Sequence, residues 1–136
     1  MALTVEIENH GAGSYLIRPE GRLDADTAIS FEKKIDPLLV RATVSIIFNL
    51  EKLTYLSSAG VRVIFKARKA LAAHNAAFIL TNLQPQIRKV FEIINALPEA
   101  SVFVSVQEAD RYLDAMQKEE VEKQRRIKEA ADRGHA

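Results

Sequence analysis

The sequence predicts an α/β protein built as one layered domain, and three observations carry that prediction. Short apolar, β-branched runs alternate with longer segments whose apolar residues recur at helical spacing. Residues 50–64, LEKLTYLSSAGVRVI, pass from a strand-like run through two adjacent serines and small residues into an amphipathic helix. The chain has 136 residues, 48% hydrophobic and 27% charged, with five Gly and four Pro. That is enough for one ordinary core and argues against a second independent domain, disorder or a fibrous repeat.

Residues 4–9 alternate, with Val5 and Ile7 set against Thr4, Glu6 and Glu8, the period of two expected of a half-buried strand. His10-Gly11-Ala12-Gly13 then turns the chain before an apolar run at 15–17, which predicts an antiparallel hairpin at the front. Leu23 leads into Asp24-Ala25-Asp26-Thr27, where an Asp or Thr side chain can cap a helix whose inner stripe is Ala28, Phe31, Ile35 and Leu38. Pro37 lacks an N–H and ends or kinks that helix. Residues 43–50, TVSIIFNL, are apolar on consecutive positions and predict a central strand covered on both faces.

After Ser57-Ser58-Ala59-Gly60, a helical stripe runs through Gly60, Val63, Ile64, Ala67 and Leu71. Arg62, Lys66 and Lys69 share another side, and Val61 and Phe65 fall between the two. Asn75 closes the helix, and residues 77–80 form a short strand ending at Thr81-Asn82. Pro85 suits the first turn of a third helix, with Ile87, Val90, Phe91 and Ile94 as its stripe. Residues 102–106 are expected as a last strand, Ser105 and Glu108 as a capping box, and Ala109, Tyr112, Leu113 and Met116 as the inward face of a final helix. From Gln117 onward six Lys or Arg and five Asp or Glu occupy twenty positions. The domain is therefore placed at residues 3–116, and 117–136 is a charged helical extension, either solvated or ordered by a partner. The expected sheet is mixed and mostly parallel, about five strands with about four helices packed on it. Sites on such sheets gather beyond the carboxyl ends of the strands, here residues 49–58, 81–84 and 23–26.

Composition removes most chemistries. A net charge of +1 with scattered Lys, Arg, Asp and Glu gives no footprint for direct nucleic-acid binding, no run reaches the length needed for membrane insertion, and no signal peptide is seen, so a cytoplasmic location is expected. The absence of Cys removes disulfides, thiolate metal sites and thiol nucleophiles. His10, His74 and His135 sit in a turn, near a helix end and in the tail, where none is placed as a catalytic base. Ser58 is not within G-x-S-x-G, and neither G-x-G-x-x-G nor a Walker A motif occurs. No metal, no cofactor and no enzymatic activity are expected. What remains is a hydroxyl at a helix N-terminus, where unpaired N–H groups and the helix dipole tolerate a phosphate; equally, one of the two serines can serve simply as the helix cap.

The run Phe48-Asn49-Leu50, continued by Tyr55-Leu56-Ser57-Ser58-Ala59-Gly60-Val61-Arg62-Val63, resembles STAS domains, in particular the bacterial anti-sigma factor antagonists, in which a strand and a short linker lead to Asp-Ser-Ser-Gly or Ser-Ser-Ala-Gly entering a helix. Gly21-Arg22-Leu23-Asp24 is similar to the family's Gly-x-Leu-Asp turn, and Asn82-Leu83-Gln84-Pro85 to its Asn-x-x-Pro helix start. The resemblance implies a STAS-like fold and a partner switch. Ser58 aligns with a serine phosphorylated by a cognate anti-sigma factor that is also a serine kinase. The unphosphorylated form binds that partner, and a PP2C-type phosphatase resets the switch. By the same resemblance Asp24, Asn49, Ser57, Ala59 and Gly60 line the partner face; Val61, Arg62 and Phe65 are added from the helical wheel. Many phosphorylated members carry Asp before the acceptor, whereas this chain has Ser57. Ser57 as an alternative acceptor, a constitutive scaffold subunit of a transporter or signalling assembly, and a homodimer all stay open.

Overall fold

The computed structural model describes residues 3–96 and 106–134. It divides into two compact units, one ending at Gln84 and one beginning at Pro85. The first unit holds the sheet. Strand β1 (Thr4–Asn9) pairs antiparallel with β2 (Ser14–Leu23), and β3 (Ser45–Asn49) and β5 (Ala77–Thr81) continue the sheet in parallel, in the order β1-β2-β3-β5. The predicted hairpin is present. Gly13 adopts φ +79°, and a Cβ there would lie 2.3 Å from the carbonyl oxygen of Ala42, so the turn admits only glycine without rearrangement.

A fifth strand, β4 (Leu53–Leu56), was not separated from its neighbour by the sequence pattern. It pairs with the last residues of β2, while β3 pairs with the first. The two therefore form one interrupted line beside β2, with the pairing offset slipping by two residues between Ile17↔Phe48 and Leu23↔Leu56. Pro19 falls in the gap, where a missing N–H breaks no ladder with β3 or β4. As expected, β3 lies inside the sheet. Its burial alternates, Ile46 and Phe48 fully and Ile47 partly covered, so the two faces are not equally buried.

Helix α1 (Ala25–Ile35) ends just before Pro37, which sits in a 3₁₀ turn over Asp36–Leu38. Helix α2 (Ser58–Ala72) buries the whole predicted stripe of Gly60, Val63, Ile64, Ala67 and Leu71. Val61 is buried as well, at 5% exposure, so it belongs with the core stripe rather than beside it. Phe31, Phe48 and Phe78 stack in tilted pairs, with centroids 6.4 and 5.7 Å apart, and Ile17, Leu23, Leu53 and Leu56 complete the interior of this unit. Burying side chains of this size contributes about 1.5–3 kcal/mol each, which is where the fold's stability resides.

The second unit contains α3 (Pro85–Ala96) and α4 (Val106–Gly134). Ile87, Val90 and Phe91 are buried as expected from the α3 stripe, and Leu113 is buried on α4. Tyr112, expected to face inward, is 47% exposed, while Gln117 is buried and its amide donates to the carbonyl of Leu113 at 3.2 Å. The inner face thus rotates by one position, because Leu113 and Gln117 share a side at a spacing of four and Tyr112 does not. The expected strand at 102–106 lies outside the described residues except for Val106, which opens α4. The same is true of Ser105 in the expected capping box. Beyond Gln117 the helix is continuous to Gly134 and carries i,i+3 and i,i+4 ion pairs such as Lys118–Asp114 at 3.1 Å and Arg126–Glu122 at 3.7 Å.

Candidate functional site

Parallel strands deliver their carboxyl ends to one edge, and there the sheet unit starts both of its α-helices. Ser57 ends the approach to α2 in extended conformation, and its hydroxyl accepts from the N–H of Gly60 at 3.2 Å. It is therefore the N-cap, only 2% exposed. Ser58 is the first helical residue and is partly exposed. Asp24 performs the corresponding task for α1: its carboxylate accepts from the N–H groups of Asp26 and Thr27, both at 3.0 Å, while the Thr27 hydroxyl accepts from the N–H of Asp24 at 2.9 Å. The N–H of Ser57 donates to the carbonyl of Leu23 at 2.9 Å, which ties the two helix starts together.

Asn49 closes β3 at the same edge. Its side-chain oxygen accepts from the N–H of Glu51 at 3.1 Å and from the Asn82 amide at 3.2 Å. The Gln84 amide donates to the carbonyl of Glu51 at 2.6 Å. The three segments expected to gather here, 23–26, 49–58 and 81–84, are therefore brought together.

At Gly60 α2 is packed tightly against Leu23 and Leu56. A Cβ would lie 2.6 Å from Leu23 Cγ and 2.8 Å from Leu56 Cδ1. Ala59 is partly exposed and Phe65 half-buried, with the Arg68 guanidinium 5.9 Å from its ring centre. Of the residues named from sequence, Ser57, Gly60 and Val61 are thus buried supports. Asp24, Asn49, Ser58, Ala59, Arg62 and Phe65 retain exposed surface.

Two features of this unit, one at the edge and one farther along the two helices, were not found from sequence. Arg22 stacks on the Tyr55 ring at 3.9 Å and lies 3.9 Å from Asp24, giving the edge a held positive group. Glu32 of α1 receives Lys66 at 2.8 Å and Arg62 at 3.6 Å from α2, and Lys66 also reaches Asp36 at 2.9 Å. The hydrogen bond from Lys66, helped by the charges of Lys66 and Arg62, holds the Glu32 carboxyl below its usual range, and Glu32 and Asp36 raise Lys66 in turn. Ile29, on the same helix, is 61% exposed. Exposed apolar side chains are ordinary singly, and this one stands out only through its place near a polar edge.

A hollow of about 580 Å³ lies along β1 and β2, lined in part by Arg18, Glu20, Asn49 and Lys52; it touches the strand-end group only through Asn49 and the turn after it. Among the described residues no group of His, Asp and Glu could hold a metal ion, and no helix is long and apolar enough to cross a membrane. His74 bonds the carbonyl of Thr43 at 2.9 Å, and His10 pairs with Glu8 at 3.0 Å. Both contacts bind neighbouring chain segments rather than approach Ser58.

Residues 3–109 match the STAS domain family model. An anti-sigma F factor antagonist from Lysinibacillus sphaericus is 36% identical over 78 residues, 57% of this chain and 67% of that protein. The structure of the anti-sigma factor antagonist SpoIIAA in its unphosphorylated form is similar with a TM-score of 0.62 at 29% identity, covering 68% of this chain and 81% of that one. The phosphorylated form of SpoIIAA, a Bacillus cell fate determinant, gives 0.58 at 29% identity, covering 67% and 83%. With the family model spanning most of the chain, and a sheet and helix arrangement shared with these solved structures, the protein belongs to the STAS domain family.

Proposed function

We propose that this protein is an anti-sigma factor antagonist working by partner switching, with Ser58 as the phosphoacceptor. The observation that carries the assignment is the division of labour between two adjacent serines. Ser57 is buried and engaged as the cap of α2, whereas Ser58 opens the helix at the surface. Phosphate on Ser58 adds about −1.5 to −2 charge beside the helix dipole's positive end, so the fold accepts it in place. A partner seated on the same edge does not, because a new charge must be desolvated and opposed. Moving a partner from almost fully bound to almost fully free takes about 5.5 kcal/mol of differential affinity, within reach of an uncompensated charge at an interface.

In this reading the unphosphorylated form binds an anti-sigma factor that is also a serine kinase, and a PP2C-type phosphatase restores it. Asp24, Asn49, Ala59, Arg62 and Phe65 contribute surface, Ser57, Gly60 and Val61 hold that surface in position, and the protein acts in the cytoplasm as a non-enzymatic regulator. Its domain spans 3–116, with 117–136 as an extension. Support comes from the strand-end geometry and from relatives that are anti-sigma factor antagonists, one of them solved in both phosphorylation states.

The test is incubation with the candidate kinase and ATP, followed by mass spectrometry of the modified peptide. Phosphate is expected on Ser58. Ser58→Asp is expected to weaken kinase binding in calorimetry and Ser58→Ala to retain it. A kinase that binds and is active elsewhere, yet leaves Ser57 and Ser58 unmodified, would remove the switch in favour of constitutive scaffolding.

A further inference from the structure

Arg62 stands one helical turn beyond Ser58 on α2, and residues four apart on a helix are surface neighbours, with about 5–6 Å between Cβ atoms. Long side chains on a helix lean toward its N-terminus, so the natural reach of Arg62 is back over the first turn. In the structure its guanidinium is drawn sideways onto Glu32, 3.6 Å away, and 62% of the side chain is exposed. That separation exceeds a hydrogen bond. Glu32 does not depend on it, because Lys66 already donates to the same carboxylate at 2.8 Å and is anchored again on Asp36 at 2.9 Å. Arg62 is the loosely held member of a four-residue cluster whose other three members are joined by two contacts of hydrogen-bond length.

We propose that Arg62 is the counter-charge for phosphate on Ser58: on modification it leaves Glu32 and pairs with the phosphoryl oxygens. The proposal rests on Ser58 being the phosphoacceptor. A guanidinium offers two parallel N–H groups to phosphate oxygens, and the phosphate carries more charge than the single Glu32 carboxylate, to which Lys66 also donates. The other charged groups near this end favour the exchange or stay out of it. Asp24 and Asp26, at the neighbouring start of α1, add negative charge that strengthens the demand for a cation. Arg22 is stacked on the Tyr55 ring, and Lys66 lies two turns from Ser58 and is held by Glu32 and Asp36. The modification is then read on α1 as well as on α2, since Glu32 loses one of its two cations. A partner that matched the paired Arg62–Glu32 surface meets a more negative one.

The full chain carrying phosphoserine placed at position 58 during translation is titrated by phosphorus NMR through the second phosphate ionisation, near pH 6. Arg62→Gln is expected to raise that ionisation by about half a pH unit, a value reduced from buried pairs because the groups are exposed. The shift should shrink at high salt, and Arg62→Lys should recover part of it. Coincident titrations for the unsubstituted and Arg62→Gln chains would overturn the proposal. Because the phosphate is installed without a kinase, that result leaves the assignment of Ser58 standing. A kinase that never modifies Ser58 removes the assignment without touching the titration.

Discussion

Replacing Gly60 by Ala adds one methyl group at the point where α2 meets the strand ends. The added carbon would lie 2.6 Å from Leu23 Cγ, 2.8 Å from Leu56 Cδ1 and 3.0 Å from Leu23 Cδ2. Carbon atoms at rest stay about 3.5–4.0 Å apart, so the overlap is about 1 Å on two sides. Neither leucine has room to withdraw, since both are 0% exposed and the closest atom is a branch point, not a side-chain tip. Overpacking of this kind costs about 1–3 kcal/mol, while Ala in a helix recovers up to about 1 kcal/mol over Gly. With two contacts under 3.0 Å the upper part of that range applies, about 2–3 kcal/mol, and a net destabilisation of about 1–2 kcal/mol follows, a fall in Tm of about 3–8 °C. Urea unfolding measures it, with Gly134→Ala as the control, because a Cβ there has nothing within 4 Å. Gly60→Ala equal to or more stable than the starting protein would show that helix propensity outweighs the contact, and that close approach is not why glycine stands here.

Ser57→Ala should cost about 1 kcal/mol through loss of the α2 cap, measured by urea unfolding; an unchanged midpoint would deny the hydroxyl its capping role. Glu32→Gln should reduce stability at neutral pH and converge with the unsubstituted chain in acid. The Glu32 carboxyl is held below its ordinary 4.5, so its contribution is present above that value and lost as pH falls through the lowered one. A difference that persists after full protonation would place its origin in packing. Ending the chain after Lys118 should leave Tm nearly unchanged, since Val121 and Ile127 are 48% and 53% exposed. A large fall would mean that the half-buried Glu120 and Gln124 hold more than their surface area indicates.

Local patterns told the most where the structure is locally determined. The α2 stripe, the stop before Pro37 and the hairpin around Gly13 follow from side-chain periodicity, a missing N–H and the steric freedom of glycine, all of which act within a few residues. β4 escaped because its identity depends on which end of β2 it joins, a pairing over thirty residues apart that leaves no mark on LTYL. Val61 looked marginal on a helical wheel and is buried, because which residues beside a stripe are covered depends on what packs there and not on the wheel. The same split holds at the site. Asp24 and the Ser57-Ser58 pair were recognisable as helix-entry residues, whereas the Glu32–Arg62–Lys66 cluster joins two helices and is invisible until they are laid side by side.

Leu23 is the residue from which this edge takes its dimensions. Its carbonyl receives the N–H of Ser57, its side chain abuts Gly60, and the next residue along the chain caps α1. One fully buried position thus touches the starts of two helices, through a hydrogen bond and packing on α2 and through the chain itself on α1. A surface built across both helix starts is therefore preassembled, and a molecule that binds across it loses little ordering entropy.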